Sequence, residues 1–278
     1  MNNKLLALYG LKFNPFTPDI PIEALYRHPP LVEFCWRMEH SFMRDGGFAL
    51  ISGDPGTGKS VALRVLAEQL AKMRDVRVGV LTRSTAKLVD FYRELGEIFD
   101  VPLTSHNRWG GFKQLRERWK HHIQNTLFLP LLLIDEAQEM PPYVLNELRL
   151  LTSAEFDSRI LLNVVLAGDQ RLNEKLRHED LIALGSRIRV RFNTEYVSVA
   201  QLLETLKHLL VMAGNPCLMS DALMNTVCEH AIGNYRTMCI IAGELLDKAA
   251  QQERVQLDEK LYFECFGKTK TVNQRKQK

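Results

Sequence analysis

The stretch ISGDPGTGKS, residues 51–60, constrains the fold more than any other part of this sequence. It places three glycines and a lysine directly after a run of apolar residues. Each glycine costs conformational entropy on folding, so the backbone that this stretch exposes must serve a purpose. The stretch satisfies the pattern G-x-x-x-x-G-K-S/T, which binds nucleotide phosphates when it lies between a strand and a helix. We therefore expect a buried strand before it and a helix after it.

The residues of this loop have separate predicted roles. Its glycines allow consecutive N–H groups to turn inward around an anion, and the following helix adds the positive end of its dipole. We expect Lys59 to reach the β- and γ-phosphates and the Ser60 hydroxyl to ligate Mg²⁺. The predicted cofactors are ATP and Mg²⁺, and the predicted nucleotide-binding residues are Gly53, Asp54, Pro55, Gly56, Thr57, Gly58, Lys59 and Ser60.

Composition and charge exclude several classes of protein. Of the 278 residues, 46% are hydrophobic and 25% are charged, as in ordinary globular proteins. The formal net charge of +3 is too small to indicate nucleic-acid binding by itself. The longest apolar run, residues 127–134, is far shorter than the ~20 residues of a membrane helix, and no secretory signal opens the chain. With five cysteines and no CxxC pair, we expect a cytoplasmic protein with reduced thiols and no membrane association.

The pattern of apolar residues predicts an α/β fold. Apolar runs typical of buried strands alternate with stretches of helical periodicity, which implies a parallel sheet with helices on both faces. After Val197 the strand pattern ends, and a capping box of Ser198 and Gln201 begins a set of helices. The predicted strands are 48–52, 76–82, 131–134, 161–167 and 188–192. The predicted domains are an α/β core over 1–198, a small C-terminal helical lid over 199–267 and a basic, disordered tail over 268–278.

Two carboxylates follow the predicted strand in the motif LLLIDEAQ. Asp135 and Glu136 come at its carboxyl end, where ligands bind in open α/β sheets. We expect Asp135 to hold the Mg²⁺ shell through water, and Glu136 to orient and deprotonate the water that attacks the γ-phosphate. The alternative is that both carboxylates only cap the start of a helix. The motif favours an ATPase over a protein that only binds nucleotide.

Several motifs in a fixed order carry a resemblance to a known family. They are GGFALISGDPGTGKS, LLLIDEAQEM, LLNVVLAGDQRL, SRIRVRF and GNYRTM. In this order they resemble the AAA+ ATPases, in the branch that contains the secretion protein ExeA and the transposition regulators TnsC, TniB, MuB and IstB. The resemblance extends to YGLKFNPFTPDIPIEALYRHPPLVEF before the phosphate-binding loop, a segment that lies near the adenine in that family. It implies the AAA+ fold, with a P-loop sheet core and a helical lid.

The resemblance also implies roles for two arginines. Arg187 matches the arginine finger, which reaches the γ-phosphate of a neighbouring subunit; Arg189 and Arg191 are alternatives, and a surface cation at the sheet edge is the simpler interpretation. Arg236, in GNYR, matches the sensor-2 arginine, with a salt bridge on the helix surface as its alternative. A finger contributed by a neighbour implies a homo-oligomer, either a ring or a helical filament.

One position departs from the pattern of the resembling ATPases. VLAGDQRL places Asp169 where they have a neutral sensor-1 residue. A carboxylate close to the γ-phosphate is repelled in a low dielectric. Either Gln170 takes the sensor role, or Asp169 stands away from the phosphate and binds water or the finger arginine. Both residues are therefore catalytic candidates.

Clusters of basic residues suggest a partner. WGGFKQLRERW, residues 109–119, interleaves aromatic and basic residues, and Arg83 and Lys87 flank the end of the second strand, in a loop that faces DNA in the resembling transposition ATPases. Such cations contact phosphates without sequence preference. An ordinary solvated helix face is the alternative. The candidate contacts with duplex DNA are Arg83, Lys87, Arg108, Lys113 and Arg116.

Three functions are compatible with these motifs. The favoured one is a regulator of DNA transposition, an ATP-bound oligomer on duplex DNA that recruits or activates a transposase and is disassembled by ATP hydrolysis. The second is an ExeA-like secretion accessory ATPase. The third is a general DNA-handling or remodelling ATPase, such as a helicase or clamp loader.

Overall fold

The computed structural model describes residues 2–103, 108–126, 128–156 and 158–267, so the predicted disordered tail lies outside the described residues. The chain divides into two compact units. The sheet unit comprises residues 27–195, and the helical unit combines residues 1–26 with 196–278. In the described part of the chain, no helix is long and apolar enough to cross a membrane.

The sheet unit is built on a parallel sheet of five strands, in the order β2-β3-β6-β1-β7. Two further strands of two residues each, β4 and β5, form a separate antiparallel pair. The strands are β1 (Phe48–Gly53), β2 (Val76–Leu81), β3 (Leu129–Ile134), β4 (Ser153–Ala154), β5 (Arg159–Ile160), β6 (Asn163–Gly168) and β7 (Ile188–Thr194). The predicted α/β fold with a parallel P-loop sheet is confirmed, and each predicted strand overlaps one of the five.

Helices connect these strands and form most of the described part of the helical unit. Short 3-10 turns cover Ile22–Ala24 and Ala137–Glu139, and π-helical turns cover Met38–Phe42 and His122–Thr126. The α-helices are α1 (Asn2–Tyr9), α2 (Pro29–Arg37), α3 (Met43–Asp45), α4 (Lys59–Ala71), α5 (Leu88–Ile98), α6 (Arg108–His121), α7 (Pro142–Leu151), α8 (Gln170–Arg177), α9 (Ile182–Gly185), α10 (Val199–Ala213), α11 (Asp221–His230), α12 (Tyr235–Gln251) and α13 (Glu259–Phe266).

Burial explains why the central strands read as continuous apolar runs. All six residues of β1 and all six of β6 are buried, so both faces of the sheet are covered at its centre. Because successive side chains alternate between faces, Phe48 and Leu50 of β1 share one face, together with alternate residues of β3 and β6. On that face they pack with buried residues of α5, α6 and α7, such as Phe91, Trp119 and Leu148.

The helical unit confirms the predicted start of the C-terminal helices. Ser198 and Gln201 form the capping box of α10, and Gly214 ends that helix with a φ of 100°. Residues 1–26 belong to the helical unit, whereas the sequence prediction grouped them with the ATPase core. The backbone N–H of Lys12 donates to the carbonyl of Ala213 at 2.8 Å, and this main-chain bond helps to place residues 1–26 with the C-terminal helices.

Candidate nucleotide-binding site

The P-loop, residues 53–60, follows β1, which lies between the central strand β6 and the edge strand β7. β1 pairs with β6 on one side and with β7 on the other, and its last residue is Gly53, which lies opposite Thr194. A Cβ atom on Gly53 would lie 2.1 Å from the carbonyl oxygen of Thr194, so only glycine allows this close approach. Gly58, with a φ of 102°, then turns the chain into α4, whose first N–H groups face the loop without a side-chain cap.

The ammonium group of Lys59 lies within this loop. It is 7% exposed, and its Nζ donates to the carbonyl oxygens of Gly53 at 2.9 Å and of Asp54 at 3.0 Å. The Thr57 hydroxyl donates to the Asp54 carbonyl at 2.7 Å and lies 2.7 Å from the hydroxyl of Thr194. The loop is therefore braced against itself and against β7, with a cation beside N–H groups that suit an anion.

The two predicted metal ligands lie side by side. The Ser60 hydroxyl, in the first turn of α4, donates to Oδ2 of Asp135 at 2.8 Å, across the edge of the sheet. Mg²⁺ binds hard oxygen donors and usually takes one or two carboxylates together with substrate phosphates and water. A hydroxyl and a carboxylate beside a phosphate-binding loop fit that requirement. Among the described residues, no group of three or more His, Cys, Asp or Glu side chains offers a metal site formed by protein alone.

Glu136 lies exposed, two residues after the end of β3. Its backbone is left-handed, with a φ of 52° and a ψ of 38°, which costs a non-glycine residue about 1–3 kcal/mol. Its N–H donates to Oδ1 of Asp135 at 2.9 Å, and its carboxylate accepts from Nε2 of Gln138. Gln138 is a site residue that the sequence patterns missed, because a glutamine in a motif gives no signal of its own unless its partners are known.

Asp169 binds a residue that the sequence patterns also missed. Its carboxylate caps α8 by accepting from the N–H of Arg171 at 2.9 Å, and the Arg171 guanidinium donates to it at 2.7 Å. Burial raises the pKa of Asp169, but these bonds and the charges of Arg171 and Lys59 outweigh it and hold the pKa below its ordinary value. Gln170 is exposed and accepts from Asn173 of its own helix at 3.0 Å.

Arg187 lies at the opposite edge of the sheet from the P-loop. It directly precedes β7, whose residue Ile188 pairs with Phe48 at the amino end of β1. Six strand residues span roughly 20 Å, so the Arg187 backbone is far from the P-loop of its own chain. The alternatives at this edge donate to main-chain carbonyls, Arg189 to Asp45 at 2.8 Å and Arg191 to Gly185 at 3.3 Å.

Arg236 lies exposed in the first turn of α12, in the helical unit. That turn begins at Asn234, whose side chain accepts from the N–H of Thr237 at 3.0 Å. The start of α12 therefore agrees with the predicted position of GNYR at a helix N-terminus. The contact of Arg236 with nucleotide stays a prediction.

The candidate DNA residues divide into two groups. Arg83 and Lys87 are exposed between the end of β2 and α5, at the carboxyl edge of the sheet. On α6, Lys113 lies over the Trp109 ring at 5.6 Å, while Arg116 lies over Phe112 at 5.0 Å and donates to the Leu150 carbonyl at 2.8 Å.

Two observations limit the predicted role of α6 in binding DNA. Burial lowers the pKa of Arg116, whose guanidinium is held by its own chain. Trp119 is fully buried and packs edge-to-face on Phe99, so it belongs to the core rather than to a surface. Arg108 begins the helix. The contacts of Arg108, Lys113 and Arg116 with DNA stay predictions.

Comparison with known proteins agrees with this geometry. Residues 43–176 match the family described as AAA domain. The chain is 30% identical over 188 residues to the General secretion pathway protein A of Aeromonas hydrophila, an alignment that covers 66% of this chain and 34% of that protein. The chain therefore spans about a third of the length of the curated relative that it matches.

Solved structures share the fold at low sequence identity. The Cdc6p structure from Pyrobaculum aerophilum has a TM-score of 0.72 and 17% identity, and the alignment covers 87% of this chain and 67% of that one. The ORC1 protein of Aeropyrum pernix, solved in complex with DNA, has a TM-score of 0.68 and 14% identity, with 90% of this chain and 67% of that one covered. At these identities the likeness establishes the AAA+ P-loop α/β fold.

The contact between Gly53 and Thr194 generates a first prediction. Gly53→Ala should lower the free energy of unfolding by roughly 1–3 kcal/mol, because the added Cβ overlaps the main chain of β7. It should also weaken the binding of a fluorescent ATP analogue. Gly243→Ala is the matched control, since its Cβ would lie 3.7 Å from Phe16 and the substitution favours helix α12. Thermal melts and anisotropy titrations would measure both effects, and equal melting temperatures for the two variants would contradict the role given to Gly53.

Proposed function

Since residues 43–176 match an AAA domain and carry a P-loop beside Asp135 and Glu136, we propose that this chain is an AAA+ ATPase that converts ATP and water to ADP and phosphate. The observation that carries the proposal is the 2.8 Å hydrogen bond between Ser60 and Asp135. It brings the end of β3 to the start of α4, so that residues from two motifs distant in sequence meet at one point.

Each residue of the site has a role in this reaction. Lys59 and the N–H groups of the P-loop bind the phosphates. Ser60 and Asp135 would hold Mg²⁺, which when bound neutralises charge on the β- and γ-phosphates. Glu136, exposed at the end of β3, accepts the proton of the attacking water.

A second subunit would complete the site. Arg187 lies at the amino edge of the sheet, whereas the P-loop lies at the carboxyl edge. Its side chain is too short to span the strand between them, so a contact between Arg187 and a γ-phosphate needs a neighbouring copy. A homo-oligomer, as a ring or a helical filament, places the finger of one copy against the nucleotide of the next.

The finer function that we propose is regulation of DNA transposition. In this proposal an ATP-bound oligomer lies on duplex DNA, recruits or activates a transposase, and is disassembled by hydrolysis. The order of the motifs supports it, and so do the exposed Arg83 and Lys87 at the carboxyl edge. The ORC1 structure shows that a protein of this fold binds DNA.

A second candidate is an accessory ATPase of protein secretion. The 30% identity to General secretion pathway protein A favours it. The two candidates differ in what ATP binding controls. A transposition regulator binds duplex DNA when ATP is bound, whereas the secretion alternative predicts no such dependence.

The chemistry of the site predicts opposite effects for two variants. Glu136→Gln should keep the affinity for ATP and lower kcat by about 10²–10⁴-fold, because the water loses its base. Lys59→Ala should weaken ATP binding itself, because the phosphates lose their cation. A phosphate-release assay and an equilibrium titration with an ATP analogue would separate the effects. Hydrolysis by Glu136→Gln at the native rate would show that another group is the base.

The position of Arg187 predicts complementation between subunits. Arg187→Ala should bind ATP but fail to hydrolyse it, because the neighbour's γ-phosphate loses its cation. Mixing it with Glu136→Gln should restore part of the turnover, since some interfaces then join an intact finger to an intact base. The measurement is ATPase rate against mixing ratio. Absence of turnover above that of the two separate variants at every mixing ratio would place the role of Arg187 within one subunit.

The transposition proposal predicts DNA binding that depends on nucleotide. Duplex DNA should bind well with a non-hydrolysable ATP analogue and poorly with ADP, because only an assembled array sums many weak phosphate contacts. Affinity should fall steeply with salt and show little sequence preference. Anisotropy titrations with both nucleotides at two salt concentrations measure this. Equal, salt-insensitive binding with either nucleotide would reject the proposal.

Charge reversal locates the DNA surface in the same assay. The double variant Arg83→Glu, Lys87→Glu should abolish DNA binding and leave the affinity for the ATP analogue intact. The matched control reverses two exposed lysines of the helical unit, Lys248→Glu and Lys260→Glu, with the same change in net charge. An equal loss in both double variants would mean that net charge, rather than the loop after β2, controls binding.

A further inference from the structure

Gln138 occupies a turn that the main chain fixes tightly. It lies in the 3-10 turn Ala137–Glu139, directly after Glu136, and is 4% exposed. The N–H of Glu139 donates to the Glu136 carbonyl at 2.9 Å, and Nζ of Lys175 donates to the carbonyls of Gln138 and Met140. Because its backbone is held in this way, the Gln138 side chain starts from a fixed position close to Glu136, the candidate base.

The amide of Gln138 is bonded at both ends. Its Nε2 donates to Oε2 of Glu136, and its Oε1 accepts from the backbone N–H of Asp169 at 3.2 Å. A carboxylate only accepts and a backbone N–H only donates, so these partners allow one orientation of the amide. The loop after β3 and the loop after β6 are thereby joined through a single side chain.

Shape and chemistry both select glutamine at this position. A Cβ atom on Gly168, the last residue of β6, would lie 2.6 Å from Oε1 of Gln138, so the glycine makes room for the amide. Glutamate has the same length but cannot donate when ionised, and methionine fills the space without forming either bond. A buried polar group left without partners costs free energy of folding, so both bonds favour the observed orientation of the Gln138 amide.

An exposed ion pair also joins the loop after β3 to the loop after β6. Arg171 donates to the carboxylate of Asp169 at 2.7 Å and to Glu139 at 2.8 Å. Glu139 adjoins Gln138 in sequence, so the two loops are joined both by the buried amide and by an ion pair. The ion pair is more exposed and contributes less to the geometry than the buried amide.

From these contacts we propose that Gln138 is a positioning residue that orients the Glu136 carboxylate for ATP hydrolysis by tying it to the end of β6. The inference rests on the proposed ATPase function. Glu136 is exposed, and without the Nε2 donor its side chain is free to adopt other rotamers. A misplacement of about 1 Å in a catalytic group costs up to ~100-fold in rate. Lys59 and Ser60 are not touched by the amide, so nucleotide affinity does not depend on it.

The test compares two substitutions of Gln138 with one control. Gln138→Met and Gln138→Glu should each lower kcat by about ten- to a hundredfold and leave the KM for ATP within about twofold. The glutamate variant keeps the acceptor for the Asp169 N–H but replaces the donor to Glu136 by a second carboxylate, whereas the methionine variant removes the donor without adding charge. The control is Gln69→Met, which breaks a 2.8 Å bond from Nε2 of Gln69 to Glu39 near the C-terminal end of α4. It should keep the native kcat.

Binding of an ATP analogue and thermal melts establish that each variant is folded. An unchanged kcat in folded Gln138→Glu would overturn the inference while the native chain still hydrolyses ATP. A parallel loss of kcat and analogue affinity, or an equal loss in Gln69→Met, would also overturn it, because a structural role has that signature. If the native chain releases no phosphate from ATP, the proposed function fails as well, and the two failures are thereby distinguished.

Discussion

The position of β1 between β6 and β7 is the constraint on which the candidate site depends. Parallel hydrogen bonding brings the carboxyl ends of β1, β3 and β6 to one edge of the sheet, and each of these strands ends in a loop that carries site residues. A slip of one residue in β1 would turn its buried side chains to the opposite face. The packing of the sheet therefore fixes the P-loop as firmly as it fixes the core.

Charge at this edge explains how the chain accommodates Asp169. A neutral residue was expected there from the resemblance, since a bare carboxylate repels phosphate. The structure places the carboxylate against Arg171 and at the start of α8, and Lys59 contributes to its lowered pKa. The negative charge is thus compensated within the site. The sequence left open whether Gln170 takes the sensor role or Asp169 binds water or the finger arginine. The arginine that Asp169 contacts is Arg171, and the sensor assignment stays a prediction.

Local signals in the sequence predicted most of the fold, and long-range contacts account for what they missed. The P-loop, the five strands and the capping box of α10 each have a pattern within a few residues. The basic and aromatic stretch of α6 was ambiguous, because Trp119 lies four residues after buried Leu115 and continues a core face. Gln138 depends on Asp169, a partner brought near only when β3 pairs with β6. Such a residue has no signature until the topology is known.

The same topology makes oligomer formation part of the proposed chemistry. A parallel sheet separates its two edges by the length of its strands, and here the P-loop lies at one edge and Arg187 at the other. Arg189 also lies near the amino edge, where it donates to the Asp45 carbonyl at 2.8 Å. In the proposed oligomer a neighbouring copy supplies Arg187 as a cation at the γ-phosphate, in addition to Lys59 and the predicted Arg236 of the same chain. In this proposal ATP is the link between subunits, and its hydrolysis removes the γ-phosphate on which that link depends.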